Sequence, residues 1–129
     1  MNQQSPSRHA IDDFILREMD SVPHLEALLL LWNSRPRQWS AADMSAALYV
    51  DEDLGLHILQ NLARRQLATR AEDGLYAYHS ASPERDALMH QLELQYRSNL
   101  IRITRMIHAK ASPGVREFAD AFRFKKDRE

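Results

Sequence analysis

Apolar residues recur along the chain at spacings that mark out its elements. In "AIDDFILREM" (10–19), Ile11, Phe14, Ile15 and Met19 fall at helical spacing, and Asp20-Ser21 breaks the run. Ser21 is placed to cap a second helix, with Pro23 tolerated in its first turn. Its apolar face is Leu25, Leu28, Leu29 and Trp32; Leu30 and Leu31 widen it, and Ala27 adds little. A helix this apolar is expected to be buried on several sides. "NSRPRQW" (33–39) reads as a loop.

Ser40 opens "SAADMSAAL", with Asp43 at capping-box spacing and Met44 and Leu48 facing inward. A short connection at 49–51 leads to "EDLGLHILQNLARR", where Leu59 and Leu62 repeat. The period then changes. Leu67/Thr69 and Leu75/Ala77 fit alternation around Asp73-Gly74, a strong hairpin signal. Ser82-Pro83 starts a long helix running to about Lys110. Leu88, Met89, Leu92, Tyr96, Leu100, Ile103, Met106 and Ile107 share one arc of it, while Leu94 and Ile101 stray to the polar side. Some 28 residues at about 1.5 Å each give roughly 40 Å, longer than a compact domain needs. The stripe therefore predicts a symmetric homodimer, with packing on its own domain as the competing reading. Beyond "ASPGV", "VREFADAFRF" again has helical spacing.

Composition narrows the class. The 129 residues are 44% hydrophobic and 27% charged, as in an ordinary globular domain. Without Cys there is no disulfide, thiolate metal site or cysteine nucleophile, which fits a cytoplasmic location. The longest apolar run, "LEALLLLW" (25–32), is too short to span a bilayer, and "MNQQSPSRHA" has no secretory apolar core. No membrane partner is expected.

Charge is uneven. Residues 1–80 carry seven basic and eleven acidic side chains, a net of −4; residues 81–129 carry ten and seven, a net of +3. The stretch 95–116 holds Arg97, Arg102, Arg105, Lys110 and Arg116 with no acid, as on a solvated helix surface or one that pairs with an acidic partner domain.

Six scattered histidines show no zinc-site spacing, although His79 and His90 could meet across the 80–84 turn. There is no glycine-rich phosphate loop, no G-x-S-x-G and no H-E-x-x-H. Neither enzyme activity nor a cofactor or metal is expected.

The order helix, helix, short connection, helix, hairpin resembles the winged helix-turn-helix domain of MarR-like and PadR-like bacterial transcription regulators. In "SAADMSAALYVDEDLGLHILQNLARRQLATRAEDGLYAY", Met44 and Leu48 match the core of the supporting helix. Leu59 and Leu62 match the inward side of the reading helix, Leu67 the first wing strand, and Tyr76/Tyr78 the second. The following helix resembles the dimerisation helix of those families.

The resemblance implies a mainly α fold with a small two-stranded β wing and a long C-terminal helix. It divides the chain into a flexible lead (1–9), a winged helix-turn-helix domain (10–80), a dimerisation helix (81–110) and a short amphipathic segment (111–129). Dimerisation would rest on Leu88, Leu92, Tyr96, Leu100, Ile103, Met106 and Ile107. The implied function is transcription regulation. Double-stranded DNA would be met by the 51–65 helix and the 67–79 wing, through His57, Gln60, Asn61, Arg64, Arg65 and Arg70.

The acids oppose this. Asp51, Glu52, Asp53, Glu72 and Asp73 would face phosphates, whose neutralisation by Lys and Arg supplies most non-specific affinity. Asp51 suits an N-cap, and acids in a first turn complement the helix dipole by roughly 0.3–1 kcal/mol each. That accounts for the helix tolerating them but not for a DNA reader carrying them. DNA could still be approached through Arg35, Arg37, Arg64 and Arg65, or through the basic stretch. The alternative function is a protein-interaction or regulatory adaptor, with Asp51, Glu52, Asp53, Leu56, Glu72 and Asp73 as its partner patch. The tail "FADAFRFKK" reads as a partner-docking segment, a membrane-surface helix or a helix folding back on the dimer.

Overall fold

Capping residues set the helix boundaries. In the computed structural model, which describes residues 7–111, five helices start at a serine or aspartate whose side chain accepts a first-turn backbone N–H. Ser7 opens α1 (Arg8–Glu18), Ser21 opens α2 (Val22–Ser34), and Ser40 opens α3 (Ala41–Leu48). Asp51 opens α4 (Glu52–Arg64) and Ser82 opens α5 (Pro83–Ser98). At Ser40 the capping box is complete, since the Asp43 carboxylate also accepts from the Ser40 N–H. Each such cap is worth about 1 kcal/mol.

Helix α2 is the hub. It touches α3, α4, α5, α6 (Leu100–Ala111) and the second strand of the hairpin. Leu25, Leu28 and Leu31 are fully buried, as the width of its apolar face requires. Ala27, expected to contribute little, is fully buried too. With no side chain beyond Cβ, it suits close packing on this crowded helix.

The hairpin pairs β1 (Ala68–Arg70) with β2 (Tyr76–Tyr78), antiparallel, with Arg70 opposite Tyr76. Gly74 takes φ 87°, and Asp73 Oδ1 accepts from the Leu75 N–H to shape the turn. Tyr76 is buried, and the Tyr78 ring meets Trp32 edge-on at 5.2 Å. The 33–39 segment is more than a loop. Its first two residues complete α2, and Trp39 exchanges two backbone hydrogen bonds with Tyr76 (2.6 and 2.8 Å), edging the hairpin.

The long C-terminal helix is two helices. Ser98 Oγ donates to the Leu94 carbonyl, Asn99 Nδ2 donates to Gln95 Oε1, and Asn99 leaves helical geometry at φ −130°, ψ 43°. Such local side-chain bonds compete with the helical ladder and bend it. The roughly 40 Å rod is therefore α5 plus α6, and both contact α1 and α2.

Most of the apolar stripe assigned to dimerisation is turned inward. Met89, Leu92, Ile103 and Ile107 are completely buried within the chain, and Leu88, Tyr96 and Met106 are packed against the same core. Of that face only Leu100 is exposed, beside Leu94 and Ile101. The 10–80 and 81–110 segments thus share one core, and α1 begins inside the lead assigned to 1–9. The Phe-rich segment lies outside the described residues. No helix among the described residues is long and apolar enough to cross a membrane.

Candidate interaction face of α4 and the hairpin

Helix α4 is amphipathic, and its period decides which side chains are available. Gly55, Ile58, Leu59, Asn61 and Leu62 are buried; Glu52, Asp53, Leu54, Leu56, His57, Gln60 and Arg64 are exposed. Gly55 marks a close approach to α3. A Cβ there would lie 2.9 Å from Ser45 Cβ and 3.1 Å from the Ala41 carbonyl oxygen, so no larger residue fits without movement. The glycine that weakens the helix interior is what lets α3 and α4 pack together.

The acids gather at the N-terminal end. Asp51 Oδ1 accepts from the Leu54 N–H at 2.7 Å, so one carboxylate is spent on the cap. Glu52 and Asp53 are exposed in the first turn and make no ion pair among the described residues. Leu54 and Leu56, 39% and 37% exposed, stand among them. At the hairpin tip Glu72 and Asp73 are exposed, as is Arg70 on β1.

The C-terminal end is tied down. Arg65 Nε donates to Asn61 Oδ1 at 3.0 Å, one terminal nitrogen to Glu18 Oε1 (3.2 Å) and the other to Asp20 Oδ1 (3.1 Å). Arg65 also reaches the Arg17 carbonyl. This fork joins α4 to the α1–α2 junction. Asn61 is only 8% exposed, with its carbonyl oxygen engaged. Of the expected DNA contacts, Asn61 and Arg65 are therefore engaged within the chain, while His57, Gln60, Arg64 and Arg70 are exposed.

The other basic routes are also largely occupied. Arg35 stacks 3.5 Å over Trp32 and Arg37 3.9 Å over Trp39. Arg97 forks onto Glu93, Arg102 onto Asp12, and Lys110 donates to the Met19 carbonyl. Of the acid-free stretch, Arg97 and Arg102 are thus engaged by acids and Lys110 by a carbonyl of their own chain, while Arg105 is exposed.

His57 meets the buried His24 ring edge-on at 6.3 Å. His24 Nδ1 bonds Ser21 Oγ at 2.7 Å, while its Nε2 has no partner among the described residues. Burial pushes the His24 pKa below the ordinary imidazole value; Asp20 opposes this, and His57, Arg65 and Lys110 reinforce it. His79 pairs with Thr69 across the hairpin, and His90 is exposed on α5. No group of three or more His, Asp or Glu side chains among the described residues could hold a metal ion.

Sequence reasoning did not single out exposed Leu54 or the Arg65 clamp. The first follows from where Asp51 sets the helix phase. The second depends on a contact 45 to 47 residues away in the chain, which no local pattern reports.

No family model matches the chain, and no curated protein matches it. Among solved structures it is similar to the crystal structure of RV1404 from Mycobacterium tuberculosis, at 19% identity over 92% of this chain and 84% of that chain, with a TM-score of 0.49.

Proposed function

We propose that the chain is a winged-helix regulatory adaptor. In this reading α3 and α4 form the helix-turn-helix pair, the hairpin is the wing, and α4 docks on a basic protein partner instead of reading DNA. The observation that carries it is the exposed N-terminal half of α4. There Glu52 and Asp53, unpaired among the described residues, flank the exposed Leu54 and Leu56. Apolar side chains set among like charges suit a protein surface of opposite charge, where the leucines supply burial and the acids steer encounter. With the N-cap Asp51 and the tip acids Glu72 and Asp73, the face carries five carboxylates against the guanidiniums of Arg64 and Arg70. Such a balance repels phosphate.

The test is an NMR titration of the full chain with an amphipathic helical peptide of leucine and lysine. Shifts confined to α4 and the hairpin tip, abolished by Asp53→Lys, are the expected result. Equal binding by the Asp53→Lys protein would remove this face from the account.

A second reading, DNA contact, is favoured by one observation: His57, Gln60 and Arg64 form an exposed row along α4. Gln can read adenine in the major groove, and Arg64 would neutralise a phosphate. In that case Gln60→Ala relaxes sequence preference and Arg64→Ala weakens binding to all duplexes.

A further inference from the structure

A groove of about 420 Å³ opens between α2, the α3–α4 connection and the C-terminal half of α5, using none of the α4 face. Its size falls within the range of small-molecule sites, roughly 300–1,000 Å³. Leu29, Leu30 and Leu48 give it an apolar wall, and two tyrosines, Tyr49 and Tyr96, border it. The charged groups are Glu26, Glu93 and Arg97, a net of −1. Arg97 is already forked onto Glu93, at 3.3 and 2.9 Å. Among the described residues Glu26 meets only a neutral group, the Tyr96 hydroxyl, which donates to Oε2 at 3.2 Å. Burial and the Glu26 charge push the Tyr96 pKa up to about 12, so the phenol remains the donor and Glu26 the acceptor.

Tyr49 is the second observation. It ends α3 in the left-handed region, at φ 59° and ψ 44°, with Val50 N–H closing back on the Ser45 carbonyl at 3.0 Å. Helices that end this way ordinarily use glycine at this position. Here a tyrosine accepts the conformation and the residue is 94% exposed at the edge of the groove. The ring contributes little packing to the fold, so its chemistry is left for a ligand.

We propose that this groove binds a small organic cation with a flat apolar body. The body would lie against Leu29, Leu30 and Leu48, the charge would meet the Glu26 carboxylate, which has no cationic partner among the described residues, and the Tyr49 and Tyr96 rings would face the cation. Cations are attracted to the electron-rich faces of such rings.

Three probes of similar size separate charge from shape: 1-naphthylmethylammonium, 1-naphthylmethanol and 1-naphthoate. Each is titrated into the full chain by ¹H–¹⁵N NMR. The ammonium is expected to shift the amides of Leu29, Leu48, Tyr49 and Tyr96 and to bind roughly tenfold more tightly than the carboxylate. Glu26→Gln should remove that preference while leaving the alcohol unaffected. Tyr49→Gly relieves the left-handed strain, so its melting temperature should hold or rise while ammonium affinity drops several-fold. Tight binding of the carboxylate, or Tyr49→Gly binding like the wild type, overturns the proposal. So does the absence of groove shifts with all three probes, as when another segment or a second copy already fills the groove.

Discussion

The two ends of α4 carry similar densities of charge and use it differently. At the C-terminal end Arg65 is bonded to Asn61, Glu18 and Asp20, so its charge holds α4 against the α1–α2 junction. At the N-terminal end Glu52 and Asp53 face outward with no ion partner among the described residues. Arg65 is therefore structural, whereas Glu52 and Asp53 have no ion partner among the described residues. The lesson is that a charge on a helix has to be located before it is given a function. Arg65 reads as a DNA contact by its sign and place in the sequence, and in the structure it clamps α4 to Glu18 and Asp20.

The largest effects should come from the core that supports both ends. Leu92→Ala and Ile103→Ala are expected to cost about 2–5 kcal/mol each in denaturant unfolding, because both side chains are wholly buried within one chain. Glu substitutions there should prevent folding, whereas a dimer-surface role would leave folded monomers in light scattering. The clamp comes next. Arg65→Ala should cost about 1–3 kcal/mol, tempered by its partial exposure, while Arg64→Ala stays within about 0.5 kcal/mol. If the two arginines prove equal, the contrast between clamped and free charge fails.

At the N-terminal end, Asp51→Ala should lose about 1 kcal/mol with the cap, and Asp53→Asn no more than about 0.3–1 kcal/mol. The smallest effect is pH-dependent. The His24 pKa is depressed in the folded state, so its contribution to stability is present above the ordinary value near 6.5 and is lost as pH falls through the lowered one. NMR titration should place the His24 midpoint below that value, and stability should fall on acidification through that window. A midpoint at or above 6.5 would contradict the burial argument.

Most of the scaffold was legible because local chemistry specifies it. Ser21, Ser40, Asp51 and Ser82 announce their helices through capping, and Asp73-Gly74 announces the hairpin. The break at Ser98-Asn99 was hidden because the apolar period runs through it; the hydrogen bonds to Leu94 and Gln95 decide the matter, not the hydrophobic spacing. For the same reason Met89, Leu92, Ile103 and Ile107 looked like an extended seam. Once the helix bends, both halves fold onto α1 and α2.

The site was legible in part. Helical phase correctly exposes Glu52, Asp53, Leu56, His57, Gln60 and Arg64. It fails at Asn61, on the border of the buried face, and it cannot see that Arg65 reaches α1. Tyr49 read only as a connection, because a left-handed helix end is usually signalled by a glycine that is absent here.

The most direct test of the central claim is fluorescence anisotropy of a labelled mixed-sequence duplex titrated with the full chain, at about 50 mM and again at about 200 mM salt. If the free end of α4 is an acidic docking face, no binding appears at either salt concentration. Binding at low salt that weakens steeply at high salt and is lost in Arg64→Ala would contradict the account and return α4 to DNA.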